Sequence, residues 1–415
     1  MRVLWVATKA PWPAVDGGRL VQSLTLSALK ERGVRVTLVA PVAAGEGARV
    51  AERLREVCEP CLVELPARDL GWPVRALRSP LSIARHAHPA VRRRVAELVA
   101  AGKLDVVHAE QLQAFRQASA AVGALALVLR AQNVESDLWT SAAARMRFAG
   151  GLARREARRL ARHEAAAVRR ASATVALTER DAATLAALAG EGPRIETVPA
   201  PFPDRLPAGG AELPGRPPIV LLGQRGWRPN RDAERWFLTE IWPAVRRRVP
   251  GAAAHSFGGG GGPAVAGVHF HPPPADASRA FAPGAVLAVP LRIASGVRMK
   301  ILEAWARGVP VVATSAAAAG LDARAGRELL VADDPESFAE SFARLAEEEG
   351  LAARLVTAGR ELLRSRHAPD RVAEALAAVY EEVSGTPRRL PGTAAGSSDR
   401  SPGGSEAPPS GASAG

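Results

Sequence analysis

Residues 290–314 of this 415-residue chain read PLRIASGVRMKILEAWARGVPVVAT. The pattern predicts the end of a buried strand, a loop of small residues, a helix over 296–307 and a second buried strand over 311–314. Gly308 and Pro310 end the helix. Strand, loop, helix and strand in this order are the repeating unit of an α/β domain with a parallel sheet.

This loop and helix also hold the clearest candidate ligand site. Ala294, Ser295 and Gly296 leave room for a ligand at the helix N-terminus, where free amides and the helix dipole favour an anion. Lys300 provides a point charge for phosphate, and the Glu303 carboxylate can accept two hydroxyl hydrogen bonds from a ribose. The alternative is that Lys300 and Glu303 form an exposed ion pair that binds nothing.

The same alternation extends through both halves of the chain. In the first half we predict strands over 3–7, 34–40, 105–108, 126–129 and 174–177, with helices over 19–32 and 152–171. In the second half we predict strands over 219–222, 253–257, 268–271 and 286–289, a helix over 232–249, a strand–helix unit over 328–348, and helices over 351–364 and 370–383.

The two halves predict two doubly wound, Rossmann-like α/β domains that face each other across a cleft at the carboxyl ends of their strands. The first domain spans 1–198 and the second 219–365. Seven prolines within 199–218 mark a linker. A last helix over 366–383 is expected to pack back towards the first domain, and the Ser-, Gly- and Pro-rich segment 384–415 is expected to be disordered.

The net charge is +13, from 55 basic and 42 acidic residues. Only four of the basic residues are lysines, and so strong an arginine bias indicates genome composition rather than a nucleic-acid partner. Residues 145–170 contain nine arginines against Glu156 and Glu164 alone. This segment is either a face for an anionic membrane or an ordinary solvated helix.

The two cysteines, Cys58 and Cys61, lack the second ligand pair that a structural zinc site needs, so we interpret them as small residues at the start of a buried strand. So few cysteines suit a reducing cytoplasm. No apolar run is long enough to span a bilayer. The first residues read as a strand rather than a signal peptide. We therefore expect a cytoplasmic protein, with peripheral contact to the inner face of the cell membrane as an option, and no bound metal.

Several stretches resemble one known family. The pattern RxKxxEAxAxGxPVV over 298–312 is similar to the donor-site segment of the retaining group 1 (family 4) glycosyltransferases. The pattern GxxxWxPNxDA over 223–233 resembles the start of that family's C-terminal domain. Asn133-Val134-Glu135-Ser136 with Trp139 resembles a stretch of its N-terminal domain, and Gly17-Gly18 matches its glycine loop facing the cleft. The resemblance extends over roughly residues 1–383.

The resemblance implies the GT-B fold, with an N-terminal acceptor domain and a C-terminal domain for a nucleotide diphosphate sugar. It implies hexosyl transfer with retention to a glycan, lipid-linked or small-molecule acceptor, as in polysaccharide biosynthesis, without a metal or a resident cofactor. Glu303 then holds the ribose and Lys300 neutralises the diphosphate. The implied catalytic residues are Lys300, Arg298 and His108; the donor residues are Glu303, Ser295, Gly296, Gly223 and Arg225; those of the acceptor side are Gly17, Gly18, Gln132, Asn133 and Glu135.

Three positions depart from the family pattern. Ser295 stands where relatives usually carry a second glutamate, and Gln132 and Glu110 stand where histidines are frequent. These departures leave two alternatives to sugar transfer: a nucleotide-sugar epimerase of the same fold, and a catalytically weak homologue used for binding. His108, at the end of a predicted strand, is either a functional cleft residue or a structural one. The five-glycine run 258–262 is either a donor-side turn or a plain flexible turn.

Overall fold

The computed structural model describes residues 1–66, 71–120, 122–144, 146, 150–259, 261–272 and 277–385. Arg145, Gly260 and all of the predicted tail beyond Gly385 lie outside the described residues. Within them the chain forms two α/β units, each built on a parallel sheet, which confirms the predicted fold class.

The first sheet has the strand order β3-β2-β1-β4-β5-β6-β7 in the described part of the chain, and all its pairs are parallel. Order reverses between β1 and β4, the arrangement that opens a ligand crevice at the strands' carboxyl ends. Its strands are β1 Arg2–Val6, β2 Arg35–Ala43, β3 Glu59–Leu65, β4 Val106–Glu110, β5 Ala126–Ala131, β6 Ala173–Ala176 and β7 Ile195–Thr197. Its helices are α1 Gly17–Glu31, α2 Gly47–Leu54, α3 Trp72–Arg78, α4 Leu81–His86, α5 Pro89–Ala100, α6 Leu112–Ser119, α7 Glu135–Ala144, α8 Gly150–Arg170 and α9 Glu179–Ala189.

The second sheet repeats this plan with the order β10-β9-β8-β11-β12-β13, again parallel throughout. Its strands are β8 Pro218–Leu222, β9 Ala253–Phe257, β10 Val268–His271, β11 Val286–Val289, β12 Val311–Ala313 and β13 Leu330–Val331. The helices are α10 Arg228–Trp236, α11 Trp242–Arg248, α12 Met299–Arg307, α13 Ser315–Ala318, α14 Pro335–Glu347, α15 Leu351–Leu362 and α16 Pro369–Ser384. A 3-10 turn covers Ala277–Ala280, and π-helical turns cover Phe237–Ile241 and Leu363–His367.

The proline-rich segment is anchored rather than free. Ala200 and Phe202 are buried in the core of the second domain, although the sequence suggested little apolar content there. The Phe202 amide donates to the carbonyl of His367, and His367 Nδ1 donates to the Ala200 carbonyl at 2.7 Å. After this point α16 packs on α1 and β4 of the first domain, with Leu376 and Tyr380 fully buried.

Three sequence predictions need correction. Helix α12 begins at Met299 rather than at residue 296, because Gly296 adopts a left-handed conformation with φ of +71° that a helix cannot contain. The helix predicted over 232–249 begins at Arg228 and continues through a π-helical turn into α11. Cys58 and Cys61 are free and half-buried beside or within β3, which is the edge strand of the first sheet and not a buried one.

Candidate active site

The carboxyl ends of the two sheets meet across a cleft in which the domains touch directly. A Cβ atom on Gly17, at the start of α1, would lie 3.4 Å from the side chain of Met299, at the start of α12. Gln224 in the loop after β8 donates to the Val15 carbonyl at 2.8 Å. The glycine loop of the first domain therefore faces the quoted segment of the second.

Lys300 is a half-buried cation at the end of the second sheet. Its Nζ donates to the Leu222 carbonyl and lies 3.4 Å from Asn230 Oδ1. It lines a small cavity together with Gly223, Asn230, Glu234, Ser256 and Pro290. Burial, together with a smaller effect of the nearby charge of Arg298, lowers the pKa of Lys300 to about 7. Among the described residues no carboxylate pairs with Lys300, which rules out the alternative of an exposed pair with Glu303.

Glu303 lies about one turn after Lys300 on the same face of α12 and has a different partner. Its carboxylate accepts from Arg307 Nε at 2.9 Å, and both side chains are 11% exposed. Arg307 also donates to the Pro207 carbonyl in the linker at 2.9 Å. Arg307 thereby fixes the orientation of Glu303.

Arg225 supports the glycine-rich turn. Its guanidinium bonds both carboxylate oxygens of Glu234 at 2.7 Å and donates to the Gly261 carbonyl at 2.8 Å. Gly223 and Gly258 approach so closely that a Cβ atom on Gly258 would lie 2.6 Å from the Gly223 carbonyl oxygen. The described part of the 258–262 run is thus a packed turn beside the Lys300 cavity, and Arg225 positions it.

The loop before α12 joins the two domains. Ser295 Oγ accepts from the Val134 amide at 3.0 Å, and Asn133 Nδ2 donates to the Ser295 carbonyl at 2.9 Å. A Cβ atom on Gly296 would lie 2.2 Å from the Gln132 carbonyl oxygen, so only glycine fits there. The structure thus brings predicted donor residues and predicted acceptor-side residues into direct contact.

His108 lies inside the first domain, not at a strand end facing the cleft as predicted. It is fully buried within β4 and stacks on Trp5 at 3.8 Å between ring centroids. Its Nε2 lies 2.9 Å from Glu110 Oε2, and its Nδ1 lies 2.8 Å from the Tyr380 hydroxyl. A group so enclosed cannot touch a substrate, so a direct catalytic role for His108 is wrong; it positions Glu110.

Glu110 extends the hydrogen-bond network of His108 from the interior of the first domain to the cleft. Its carboxylate pairs with Arg130 at 3.1 Å and accepts from Gln132 Nε2. Gln132 also donates to the Gly18 carbonyl at 3.2 Å. Burial alone would raise the pKa of Glu110, but the charge of Arg130 and the contacts with His108 and Gln132 hold it below its usual value. Gln132 and Gly18 are thereby held by a buried ionised carboxylate.

Glu135 is the first residue of α7 and is half-buried. Its amide and that of Ser136 bond to the carboxylate of Glu164, at 2.6 and 3.0 Å. Burial raises the pKa of Glu135, while a hydrogen bond with Gln113 lowers it. Burial also raises the pKa of Glu164, to about 7. The family-like segment around Glu135 therefore has a packing role in this structure.

Sequence reasoning missed three polar residues of the cleft. Asp16 caps α1 and pairs with Lys9 at 2.7 Å, next to Gly17. Asn230 contacts Lys300, and Asp181 in the first turn of α9 faces Ser295. Asp16 precedes a glycine pair and Asp181 follows Thr178 by three residues, so each reads locally as a helix-capping residue. Their position in the cleft is decided by the domain arrangement.

Comparison with known proteins covers most of the chain. The family described as "Glycosyl transferase 4-like domain" matches residues 17–201, and the family described as "Glycosyl transferases group 1" matches residues 216–348. No curated protein sequence matches the chain. In the described residues no helix is long and apolar enough to cross a bilayer.

Solved structures share the architecture at low identity. Sucrose-phosphate synthase from Thermosynechococcus elongatus superimposes with a TM-score of 0.68 at 14% identity, over 92% of this chain and 99% of that one. Anabaena HepE in complex with UDP-glucose gives 0.64 at 15%, over 92% and 100%. A UDP-N-acetylglucosamine 2-epimerase from Listeria monocytogenes, described there as a tentative assignment, gives 0.57 at 14%, over 94% and 98%. At such identity the likeness establishes the fold.

Proposed function

Since this protein is a group 1 glycosyltransferase with the GT-B fold, we propose that it transfers a hexose from a nucleotide diphosphate sugar to a glycan, lipid-linked or small-molecule acceptor. We propose further that the reaction retains the anomeric configuration and needs no metal or resident cofactor. The proposal concerns the donor, the stereochemistry and the acceptor, since sugar transfer itself follows from the family.

The observation that carries the proposal is the half-buried Lys300, which lines the cavity at the end of β8. A lysine whose charge is desolvated, with no carboxylate partner among the described residues, is stabilised by an incoming anion. It lies beside the close-packed Gly223 and Gly258, where a diphosphate can approach the backbone. Arg298, at the N-terminus of α12, adds a second buried cation. The pair suits a diphosphate that gains negative charge as the sugar leaves.

The roles of the site residues follow from this placement. Lys300 and Arg298 stabilise the departing diphosphate, and Glu303, oriented by Arg307, accepts the ribose hydroxyls. In a retaining front-face reaction the leaving phosphate removes the acceptor proton, so the protein supplies positioning and electrostatics. Gly17, Gly18, Gln132 and Asn133 then line the side from which the acceptor approaches. His108 and Arg225 act indirectly, through Glu110 and the glycine-rich turn.

Binding of the nucleotide is the first test. Thermal unfolding is measured with UDP, GDP, ADP and TDP in turn, because a ligand that binds only the folded state raises its stability by mass action. One nucleotide should raise the melting temperature and compete with its own sugar conjugate. If none of the four does so at millimolar concentration, the donor site is wrongly assigned.

Product analysis is the second test. The nucleotide sugar that binds is incubated with candidate acceptors, and the products are identified by mass and by the anomeric configuration of the new bond. Transfer with retention supports the proposal. An epimerised nucleotide sugar, or binding without turnover, would support one of the two alternatives instead.

The surface of the first domain favours a lipid-linked acceptor. On α8 the two acids face inward: Glu164 caps α7 and Glu156 accepts from the Leu81 amide. The exposed side of that helix carries Arg154, Arg155, Arg158 and Arg162. We propose that this side faces the anionic inner surface of the cell membrane.

Exposed apolar side chains lie on α3 and at the start of α8. Leu77 in α3 is 82% exposed, Val74 is 69% exposed and Leu152 at the start of α8 is 70% exposed. Arg159 donates to the carbonyls of Ala76 and Ser79 at 2.9 and 2.8 Å, which holds α3 against α8. Exposed apolar side chains rimmed by arginines are the pattern by which a protein inserts shallowly between anionic headgroups.

A further inference from the structure

A buried carboxylate of the first domain faces the second domain without its full set of partners. Asp181 lies in the first turn of α9 and is 3% exposed. Its Oδ1 lies 3.4 Å from Ser295 Oγ, and it also accepts from the Gly296 amide. Its Oδ2 is buried and has no hydrogen-bond partner. Unpartnered buried carboxylate oxygens destabilise a folded protein and are rare, so we expect a ligand to bind Oδ2 of Asp181.

A buried cation of the second domain also has a polar atom without a hydrogen-bond partner. Arg298 is 6% exposed, and its Nη1 is buried without a hydrogen-bond partner. Burial lowers the pKa of Arg298 to about 10, and the charge of Asp181 opposes that shift. Burial likewise raises the pKa of Asp181, against the effect of Arg298. Each group therefore feels the charge of the other, and both are poorly solvated.

The two groups do not neutralise each other by contact. No ion pair within 4.0 Å joins Asp181 to Arg298 in the described residues, although both carry free hydrogen-bonding capacity. Asp181 lines a small polar pocket between the domains, with Thr178, Ser295, Gly296 and Gly320. A hydroxyl group can donate a hydrogen bond, so a hydroxyl of a bound molecule can satisfy the unpartnered Oδ2 of Asp181.

We propose that Asp181, beside the charge of Arg298, binds a hydroxyl group of the donor sugar, so that the first domain supplies a sugar ligand to a donor held by the second. The inference rests on the proposed function, because it assigns the sugar of the same nucleotide sugar. The site exists only while the loop 295–298 lies against α9, so sugar recognition and closure of the cleft depend on each other.

Asp181→Asn tests this assignment, because it keeps the shape of the side chain and removes its charge. Loss of one hydrogen bond to a charged group should raise the KM for the nucleotide sugar about tenfold to a hundredfold. The Kd of the free nucleotide diphosphate, which has no sugar, should change by less than about threefold. Glu179→Gln is the matched control, since Glu179 is exposed in the same first turn and its loss changes the helix electrostatics alone.

The outcomes separate the two hypotheses. If wild-type protein binds none of the nucleotide diphosphates, the proposed function fails before the variant is made. If wild-type protein binds and transfers but Asp181→Asn leaves KM unchanged, the inference is overturned. It is also overturned if the variant weakens nucleotide and nucleotide sugar equally, because Asp181 would then only latch the domains. Asp181→Ser provides a second variant should Asp181→Asn fold poorly, and it should likewise affect the nucleotide sugar more than the free nucleotide.

Discussion

The hydroxyl of Tyr380 lies 2.8 Å from Nδ1 of His108, so the last helix of the described chain is hydrogen-bonded to the central strand of the first sheet. His108 Nε2 lies 2.9 Å from Glu110, and Glu110 accepts from Gln132 at the cleft. Burial lowers the pKa of His108, so the ring is neutral at physiological pH. A neutral ring can donate to Glu110 through Nε2 and accept from Tyr380 through Nδ1, which satisfies every polar atom of the ring.

This arrangement makes an alkaline titration informative, because Tyr380 is the only tyrosine of the chain. Burial raises the pKa of Tyr380 well above 10. We expect no phenolate absorbance until the protein unfolds at high pH, with the absorbance change and the loss of circular dichroism at one midpoint. The same protein in denaturant should titrate near the free value of about 10. Titration near that value in the folded state would show that α16 does not dock on the first domain.

The Glu303–Arg307 pair leads to the second prediction. Glu303→Gln keeps the size of the side chain but weakens its hydrogen bonds to ribose hydroxyls, so nucleotide affinity should fall by about tenfold to a hundredfold. Isothermal titration with the cognate nucleotide diphosphate measures this. Glu336→Gln is the control for the loss of a carboxylate from an ion pair. The pair of Glu336 with Arg247 is largely exposed, so breaking it should change the free energy of unfolding by less than about 1 kcal/mol. Equal affinity of wild type and Glu303→Gln would remove Glu303 from the donor site.

The sequence predicted the order of strands and helices well, because burial of whole strands and the helical period are local signals. It failed where a partner distant in sequence decides the outcome. β4 was expected to end at residue 108, since Glu110 looked like a polar residue beyond a strand. Glu110 instead continues the strand opposite Arg130 of β5, which neutralises it. That pairing moves His108 from the expected strand end into the core.

The candidate site was predicted unevenly for the same reason. The segment around Lys300 carries its chemistry within a few residues, so its pattern is visible in the sequence. Helix α12 was nevertheless started too early, because no local signal requires the left-handed turn at Gly296, which is imposed by the Gln132 carbonyl across the cleft. Asp181 reads as an ordinary first-turn acid, and only the approach of the two domains places it against Ser295.

The arginine-rich face leads to the third prediction. Vesicles that contain an anionic phospholipid should bind the protein, and binding should fall as salt rises, since charges are screened over about 8 Å at physiological ionic strength. Arg154→Gln with Arg158→Gln should weaken binding about tenfold or more, at roughly 1 kcal/mol per charge. Arg246→Gln with Arg248→Gln removes two exposed charges from α11 and serves as the control. Equal binding of both double variants would leave α8 as a solvated helix.

Metal independence is the fourth prediction. The proposed diphosphate site balances the charge of the leaving group with two cationic side chains, Lys300 and Arg298. Turnover should therefore persist after dialysis against EDTA. Activity that is lost in EDTA and returns only with Mn²⁺ or Mg²⁺ would contradict the proposed electrostatics.

Lys300 leads to the last prediction, which concerns pH. Its pKa is lowered from 10.5 to about 7 in the unliganded protein, first by burial and then by Arg298. Between these values the unfolded chain binds more protons at this position than the folded protein does. Stability of the unliganded protein should therefore fall as pH falls from about 10 to 7, and this contribution should be constant below 7.

A bound diphosphate reverses the effect of burial, because a nearby anion favours the charged lysine. At pH 8 the phosphate groups are already ionised, since their second pKa is about 6. Nucleotide binding should then take up a proton at Lys300. Isothermal titration at pH 8 is carried out in phosphate and in Tris, which have different ionisation enthalpies. The two apparent binding enthalpies should differ by that difference, multiplied by the fraction of Lys300 that becomes protonated.

The variants make this test specific to one side chain. Lys300→Gln should abolish the buffer dependence and, by removing one preorganised charge, lower turnover about a hundredfold to a thousandfold. Lys30→Gln, at an exposed lysine of α1, should keep both the buffer dependence and the turnover. At pH 6 wild type and Lys300→Gln should show the same buffer dependence, because Lys300 is already protonated before the nucleotide arrives and only the phosphate titrates. A buffer dependence that persists in Lys300→Gln would show that another group takes up the proton. Lys300 would then no longer be assigned to the diphosphate site.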